Sequence, residues 1–133
     1  MSFDAVRELE TALGCSLPTD YRAFLSRHVH STLQPQLLVR PMEPAPGSGE
    51  EDVVTEIYTA SDILRMGRQG VPDAEMLVVG SVQSSGYLYM CFRKGKLGAI
   101  YIGFPFEDRE FYMVAPTFKQ FQVRCRPDVS ADA

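Results

Sequence analysis

The sequence predicts a single α+β domain in which helices pack against a mostly antiparallel sheet of about five to six strands. Apolar residues recur at three- and four-residue steps near both ends of the chain, which is typical of amphipathic helices. Between residues 76 and 114, short segments of alternating apolar and polar residues are separated by turn-forming residues, which is typical of paired strands. This order favours an N-terminal helix pair and a C-terminal helix packed on one sheet.

Two short helices are predicted at the N-terminus. Apolar residues on one face of the first helix are Phe3, Val6, Leu9 and Leu13. Gly14 is expected to end this helix, because glycine readily adopts the left-handed conformation of a helix stop. The second helix is expected to follow Pro18, with Thr19 as its N-cap and Asp20 near the positive end of its dipole.

The middle of the chain predicts strands joined by turns. The predicted strands are residues 37–39, 53–58, 76–82, 86–93, 98–104 and 110–114. A short helix capped by Thr59 or Ser61 is expected between the second and third of them, and Pro116 begins the last helix. In the fourth strand, even-numbered residues such as Leu88 face away from odd-numbered ones such as Tyr87, and the register that decides which face is buried stays open. The domain is expected to span residues 1–127, with a disordered tail at 128–133.

Composition excludes several classes of protein. The chain has 133 residues, of which 45% are hydrophobic and 23% charged, as in ordinary globular domains. Its apolar runs fall short of the roughly 18 residues that a membrane helix needs, and its first residues lack the pattern of a signal peptide. We therefore expect a cytoplasmic protein without membrane contact. Cys15, Cys91 and Cys125 form no CxxC pair, so three reduced, mostly buried thiols are expected rather than disulfides or a zinc site.

Acidic residues are concentrated in one segment of a chain whose net charge is −4. Residues 41–64 contain six carboxylates and no lysine or arginine. Such a segment either keeps a loop soluble or imitates a polyanion in the positively charged groove of a partner. Together with three tyrosines, which are expected to act as anchors if their sheet face is exposed, these carboxylates give the predicted partner-binding residues. They are Glu50, Glu51, Asp52, Glu56, Tyr87, Tyr89, Tyr101, Glu107 and Asp108.

The sequence contains no strong pattern for catalysis, a metal or a cofactor. His28 and His30 are predicted to lie at a helix end and to point to different faces, so they are not expected to hold one metal. Cys125 stands between Arg124 and Arg126, which favours a thiolate, but no base or oxyanion donors accompany it. We therefore expect no catalytic residues, no metal and no cofactor. The one basic cluster, residues 93–96, is too small to predict direct nucleic-acid binding.

Three stretches of the sequence resemble the SUKH superfamily, the Smi/Knr-like proteins. They are a Leu-Gly step followed by Leu-Pro and an acidic-aromatic-basic helix start at residues 13–25, a strand ending in Gly80 with a hairpin pair after it, and the closing Ala-x-Thr-Phe-x-x-Phe of residues 115–121. The resemblance covers residues 3 to about 124. The chain departs from the family pattern at residues 28–32, where His-Val-His-Ser-Thr replaces Asn-Gly-Gly.

The resemblance implies a non-enzymatic binding protein, most often a bacterial immunity protein that neutralises a cognate polymorphic toxin such as a nuclease or deaminase. A regulatory or scaffold module with an endogenous partner is the alternative. A small enzyme that uses Cys125 or His28 is the third hypothesis. We expect a protein partner, and a chain that is a monomer or a weak dimer.

Overall fold

The computed structural model describes residues 2–43, 51–66, 75–84, 86–93, 95–104 and 111–128. Within these residues the helices are α1 (Ser2–Leu13), α2 (Thr19–Leu25), α3 (Ala60–Met66) and α4 (Phe118–Arg124). The strands are β1 (Thr32–Val39), β2 (Asp52–Ile57), β3 (Met76–Val82), β4 (Tyr87–Cys91), β5 (Ile100–Gly103), β6 (Phe111–Ala115) and β7 (Cys125–Pro127). The predicted tail beyond Asp128 lies outside the described residues.

The strands form one antiparallel sheet with the order β6-β5-β4-β3-β2-β1-β7. The first six strands follow one another as a meander, and β7 returns to pair with β1. The α+β class and the antiparallel pairing are confirmed, but the predicted number of strands was too low. The missed strand, β7, has three residues and no alternation of its own, and it forms because Leu37–Val39 offers a free edge.

The sheet curls, so that residues following β1 reach the opposite edge strand. The amides of Met42 and Glu43 donate to the carbonyl oxygens of Val114 (3.2 Å) and Met113 (2.8 Å) in β6. Arg124 Nη1 of α4 donates to the carbonyl oxygen of Arg40, the residue after β1, at 2.9 Å. Met42 and Glu43, at the start of segment 41–64, therefore lie beside β6.

One apolar core lies between the helices and one face of the sheet. Val6 and Leu9 of α1, Ile63 of α3 and Phe118 of α4 are each at most 3% exposed. The predicted short helix is present as α3, and it packs against α1. No helix among the described residues is both long enough and apolar enough to cross a membrane.

The joint between α1 and α2 ends one helix and caps another. Gly14 has φ +75°, and its amide donates to Glu10 at 2.9 Å, which confirms the predicted helix stop. Pro18, not Thr19, is the N-cap of α2, because the fixed φ of proline supplies the extended residue before the helix. The Asp20 carboxylate accepts from the amide of Tyr21 at 2.8 Å and from the amide of Lys119 at 2.9 Å. Asp20 therefore joins the starts of α2 and α4.

We expect Asp20→Ala to lower the free energy of unfolding by about 2 kcal/mol, because two helix-start amides lose their acceptor. Urea unfolding followed by circular dichroism measures this loss. Asp20→Asn keeps one acceptor oxygen and is expected to lose about half as much. Equal stability of the alanine variant and the unsubstituted protein would contradict this role of Asp20.

The Tyr21 hydroxyl is buried without a hydrogen-bond partner among the described residues. Tyr21 is 0% exposed, and its burial raises the pKa of the phenol well above its ordinary value. We expect Tyr21→Phe to raise the free energy of unfolding by about 1 kcal/mol, because it removes an unsatisfied polar group and keeps the ring. Urea unfolding near pH 7 tests this, and a loss above 1 kcal/mol would contradict it.

The same substitution is expected to change the response to alkaline pH. A buried phenol with a raised pKa keeps its proton in the folded state but releases it in the unfolded state above pH about 10, so stability falls as the pH rises further. Tyr21→Phe is expected to lose less stability than the unsubstituted protein between pH 9 and pH about 11. Parallel curves of stability against pH would contradict this assignment.

Candidate functional site

The two faces of the sheet have different surroundings. Leu88 and Met90 of β4 belong to the core beneath the helices, whereas Tyr87 and Tyr89 lie on the opposite face. The predicted alternation along this strand is therefore confirmed, and the register places the even-numbered side chains against the helices. The tyrosine-bearing face carries a second apolar cluster of its own. It comprises Met76, Val78, Tyr89, Cys91, Ala99 and Tyr101.

Two of the three predicted tyrosine anchors are buried in this second cluster. Tyr89 is 1% and Tyr101 is 9% exposed. The Phe111 ring stands edge-on to both, with centroid distances of 5.2 Å and 6.3 Å. Burial raises the pKa of Tyr89 to about 12. The predicted anchoring role requires an exposed side chain. Tyr87 is partly exposed and meets this condition, whereas Tyr89 and Tyr101 do not.

A row of polar side chains crosses the sheet at the end of the second cluster. Glu56 and Tyr87 are the partners of Ser81 on its two sides in the sheet register. The Ser81 hydroxyl donates to Glu56 Oε1 at 3.3 Å and lies 2.8 Å from the Thr55 hydroxyl. All of these side chains are partly exposed. We call Thr55, Glu56, Tyr58, Ser81 and Tyr87 the polar row.

An irregularity in β2 creates the polar row. The register shifts between Val54 and Glu56, while Val54 and Ile57 both remain buried beneath the helices. Strict alternation would have placed Glu56 on the same face as Val54. The bulge instead brings the Thr55 and Glu56 side chains together at Ser81, so sequence alternation alone could not find this cluster.

Tyr58 completes the row from the residue after β2. Burial raises the pKa of its phenol, a hydrogen bond with Ser81 acts in the opposite direction, and the charge of Glu56 raises the pKa further. The Tyr58 hydroxyl therefore lies close to Ser81. The Ser81 hydroxyl thus connects the Glu56 carboxylate to the hydroxyl groups of Thr55 and Tyr58.

Glu51 and Asp52, two of the predicted acidic contact residues, already form an ion pair or hydrogen bonds with other residues of the chain. Glu51 pairs with Arg126 at 3.0 Å. Asp52 is 7% exposed, and its carboxylate accepts from the Ser84 hydroxyl and, at 2.8 Å, from the amide of Val53. Glu50, Glu107 and Asp108 lie outside the described residues. Asp52 in this conformation offers a partner little surface.

Besides Glu56 of the polar row, the other two described carboxylates of segment 41–64 also form hydrogen bonds or ion pairs within the chain. Glu43 accepts from the amide of Met113 at 2.8 Å. Asp62 pairs with Arg65 and accepts from the amide of Thr59 at 3.2 Å, while Thr59 caps α3 in return by accepting from the Asp62 amide at 3.1 Å. Burial alone would raise the pKa of Asp62, but the Thr59 hydrogen bonds and Arg65 together lower it. Thr59 is thus confirmed as one of the two predicted caps.

Both histidines line a single cleft of about 560 Å³. The expectation that they lie at a helix end was wrong, because α2 ends at Leu25 and leaves His28 and His30 in the connection to β1. His28 stacks on Phe24 at 4.6 Å, and its Nε2 bonds to the carbonyl oxygen of Ile57. The described residues contain no group of three side chains suited to a metal ion.

Cys125 lies in an apolar groove of about 280 Å³ that Leu33, Leu37 and Phe121 also line. Burial raises the pKa of its thiol to about 12, which favours the protonated form. The neighbouring Arg126 is directed to Glu51. All three cysteines are free, but Cys15 is exposed and Cys125 is only partly buried, so the expected burial holds fully for Cys91 alone.

Comparison with known proteins identifies one family. The family model described as SMI1 / KNR4 family (SUKH-1) matches residues 1–123. This match confirms the resemblance suggested by the helix-pair and closing motifs, and it extends from α1 almost to the end of α4. No curated protein and no solved structure matches the chain significantly.

Proposed function

We propose that this chain, which belongs to the SMI1/KNR4 family (SUKH-1), is a non-enzymatic binding protein that neutralises a cognate bacterial toxin as its immunity protein. The observation that carries the proposal is the polar row, where a partly exposed carboxylate stands on a sheet whose two faces are both packed. A rigid, polar, partly exposed surface suits recognition of another protein without large rearrangement.

The partner in this proposal is a toxin domain, such as a nuclease or deaminase, that holds nucleic acid in a positively charged groove. The net charge of −4 and the six carboxylates of residues 41–64 would attract such a groove and disfavour direct binding to nucleic acid. Binding would occlude the groove or distort it. The protein would act in the bacterial cytoplasm.

The contact surface in this proposal contains the accessible part of the predicted set. Glu51, Glu56 and Tyr87 are partly exposed and lie on or beside β2 and β4. Glu50, Glu107 and Asp108 remain proposed contacts. Asp52, Tyr89 and Tyr101 would support this surface from below, because each is at most 9% exposed.

The distribution of exposed apolar side chains supports a monomer or a weak dimer. The large apolar side chains that are exposed among the described residues are Val29, Met42, Leu97 and Val123. They belong to four different segments, namely the connections after α2, β1 and β4 and the helix α4, whereas a stable dimer interface needs one continuous apolar patch.

Co-expression tests the proposal. The chain is expressed in bacteria together with the toxin domain encoded beside its own gene, and growth and complex formation are measured. We expect growth to be restored and a one-to-one complex to elute in size-exclusion chromatography. Killing that continues despite expression of the folded chain would contradict the immunity function, and retrieval of a housekeeping protein instead would favour the scaffold alternative.

We expect the double substitution Glu51→Lys/Glu56→Lys to slow association with that partner by about tenfold at low salt, because the attraction between opposite charges is reversed. The difference is expected to shrink above about 0.5 M salt, where the charges are screened. Stopped-flow or surface plasmon resonance measures the rate. The control Glu8→Lys reverses an exposed charge on α1, and an equal slowing by the control would contradict a local role.

A further inference from the structure

Glu56 differs from the other described carboxylates of residues 41–64, which we call the acidic segment. Glu51 and Asp62 each contact an arginine, while Glu43 and Asp52 accept from backbone amides. The hydrogen bond of Glu56 comes from the Ser81 hydroxyl alone and uses Oε1. Within the described residues, Glu56 is thus the acidic-segment carboxylate with neither a cation nor a backbone amide against it.

The surroundings of Glu56 would suit a cation. The Ser81 hydroxyl, which contacts the carboxylate, and the Thr55 hydroxyl, 2.8 Å from that of Ser81, supply further oxygen acceptors. These groups add no positive charge of their own. A cation placed here would therefore meet a full negative charge and several oxygen lone pairs on a partly dehydrated surface, where electrostatic attraction is stronger than in bulk water.

Tyr87 supplies an aromatic face at the other end of the row. Strands are spaced by about 4.8 Å, so the Cα atoms of Glu56 and Tyr87 lie about 10 Å apart, with Ser81 between them. The small Ser81 side chain separates these two larger ones in the sheet register. The Tyr87 ring contacts the buried Tyr89 ring edge-on at 6.5 Å, which holds it in place.

These features together select arginine over lysine. A guanidinium group is planar, stacks on aromatic rings and donates several hydrogen bonds in one plane, whereas an ammonium group is a strongly hydrated point charge. Glu56 Oε2 provides a charged acceptor for such a fork, and charge-assisted bonds of this kind are about twice as strong as neutral ones. Charge complementarity with the acidic segment favours the same ligand.

We propose that the polar row is a subsite for an arginine side chain of the protein partner, with the guanidinium donating to Glu56 and stacking on Tyr87. The source of the arginine rests on the proposed function, in which a toxin domain presents a basic groove. The subsite itself is a property of this chain and is testable without any partner.

The test is a titration followed by amide chemical shifts in ¹H–¹⁵N NMR spectra. The probe is N-acetyl-arginine methylamide, and its neutral counterpart of the same shape is N-acetyl-citrulline methylamide. We expect the arginine probe to shift the amides of Thr55, Glu56, Ser81 and Tyr87 in a saturable way at millimolar concentration. The citrulline probe is expected to bind at least fivefold more weakly, because it lacks the charge.

Matched variants locate the effect. Glu56→Gln keeps the acceptor for Ser81 but removes the charge, and it is expected to weaken the arginine probe at least fivefold. Tyr87→Leu removes the ring and is expected to weaken it about threefold. Glu8→Gln, at an exposed position on α1, is expected to leave binding within twofold. Thermal melting establishes that each variant is folded.

The proposal is overturned if the arginine probe shifts none of these amides, if citrulline binds equally well, or if Glu56→Gln binds as the unsubstituted protein does. The outcome is separate from that of the co-expression experiment. Protection of cells together with no arginine binding would contradict the arginine subsite and leave the immunity function standing. Arginine binding without protection of the cells would contradict the immunity function and leave the arginine subsite standing.

Discussion

Replacing Phe118 by alanine is expected to lower the free energy of unfolding by about 4 kcal/mol. Phe118 is 1% exposed and begins α4 at the point where α2 packs against it. Its ring lies 5.0 Å from Tyr21, 4.8 Å from Phe24 and 5.6 Å from Phe121. Alanine would leave a cavity beneath rigid neighbours and remove three aromatic contacts at once.

Urea unfolding by circular dichroism measures the effect of Phe118→Ala, and Val123→Ala is its control. Val123 lies on the same helix but is 73% exposed. Val123→Ala is therefore expected to lower the free energy of unfolding by less than about 0.5 kcal/mol. Similar losses for the two variants would contradict the assignment of Phe118 to the core. A loss of helical signal without a change in the unfolding midpoint would contradict it as well.

Gly80→Ala is expected to cost about 3 kcal/mol, because the added methyl group meets backbone rather than a movable side chain. A Cβ atom at Gly80 would lie 2.5 Å from the carbonyl oxygen of Glu56 and 3.1 Å from Leu88 Cδ1. Relief of the first contact requires β2 and β3 to separate at the bulge. The substitution would therefore displace Glu56 as well as destabilise the sheet.

Two measurements test this prediction. Urea unfolding gives the stability, and amide chemical shifts report whether Thr55, Glu56 and Ser81 move. Ser81→Ala, at the next residue of the same strand, adds no atom and is expected to cost about 1 kcal/mol through lost hydrogen bonds. Gly80→Ala with unchanged stability and unchanged Glu56 shifts would contradict the close packing of β2 on β3.

Local patterns predicted the elements that are defined by their own residues. The predicted strand at residues 76–82 matches β3, and Gly14 ends α1 as expected. Both follow from short-range chemistry, since apolar β-branched residues favour a strand and glycine tolerates the left-handed stop. The alternation of odd-numbered and even-numbered side chains of β4 between the two faces of the sheet follows from the geometry of any strand.

Features that depend on distant residues were missed or incomplete. β7 exists because β1 accepts it as a neighbour, and Asp20 at the start of α2 also accepts a hydrogen bond from the start of α4. The placement of His28 and His30 in one cleft depends on where α2 stops and β1 starts. Each involves groups separated by many residues, and no local pattern encodes such a separation.

The sequence by itself determined the family, the α+β class, the negative charge of residues 41–64 and the alternation of the strands. Tertiary structure alone decided which described carboxylate of that segment has neither a cation nor a backbone amide against it among the described residues, and which of the three tyrosines is accessible. The bulge in β2 turns Glu56 toward Ser81, and the packing of Phe111 buries Tyr89 and Tyr101. The physical reason is that charge and periodicity belong to single residues, whereas exposure and pairing depend on the neighbours that folding brings together.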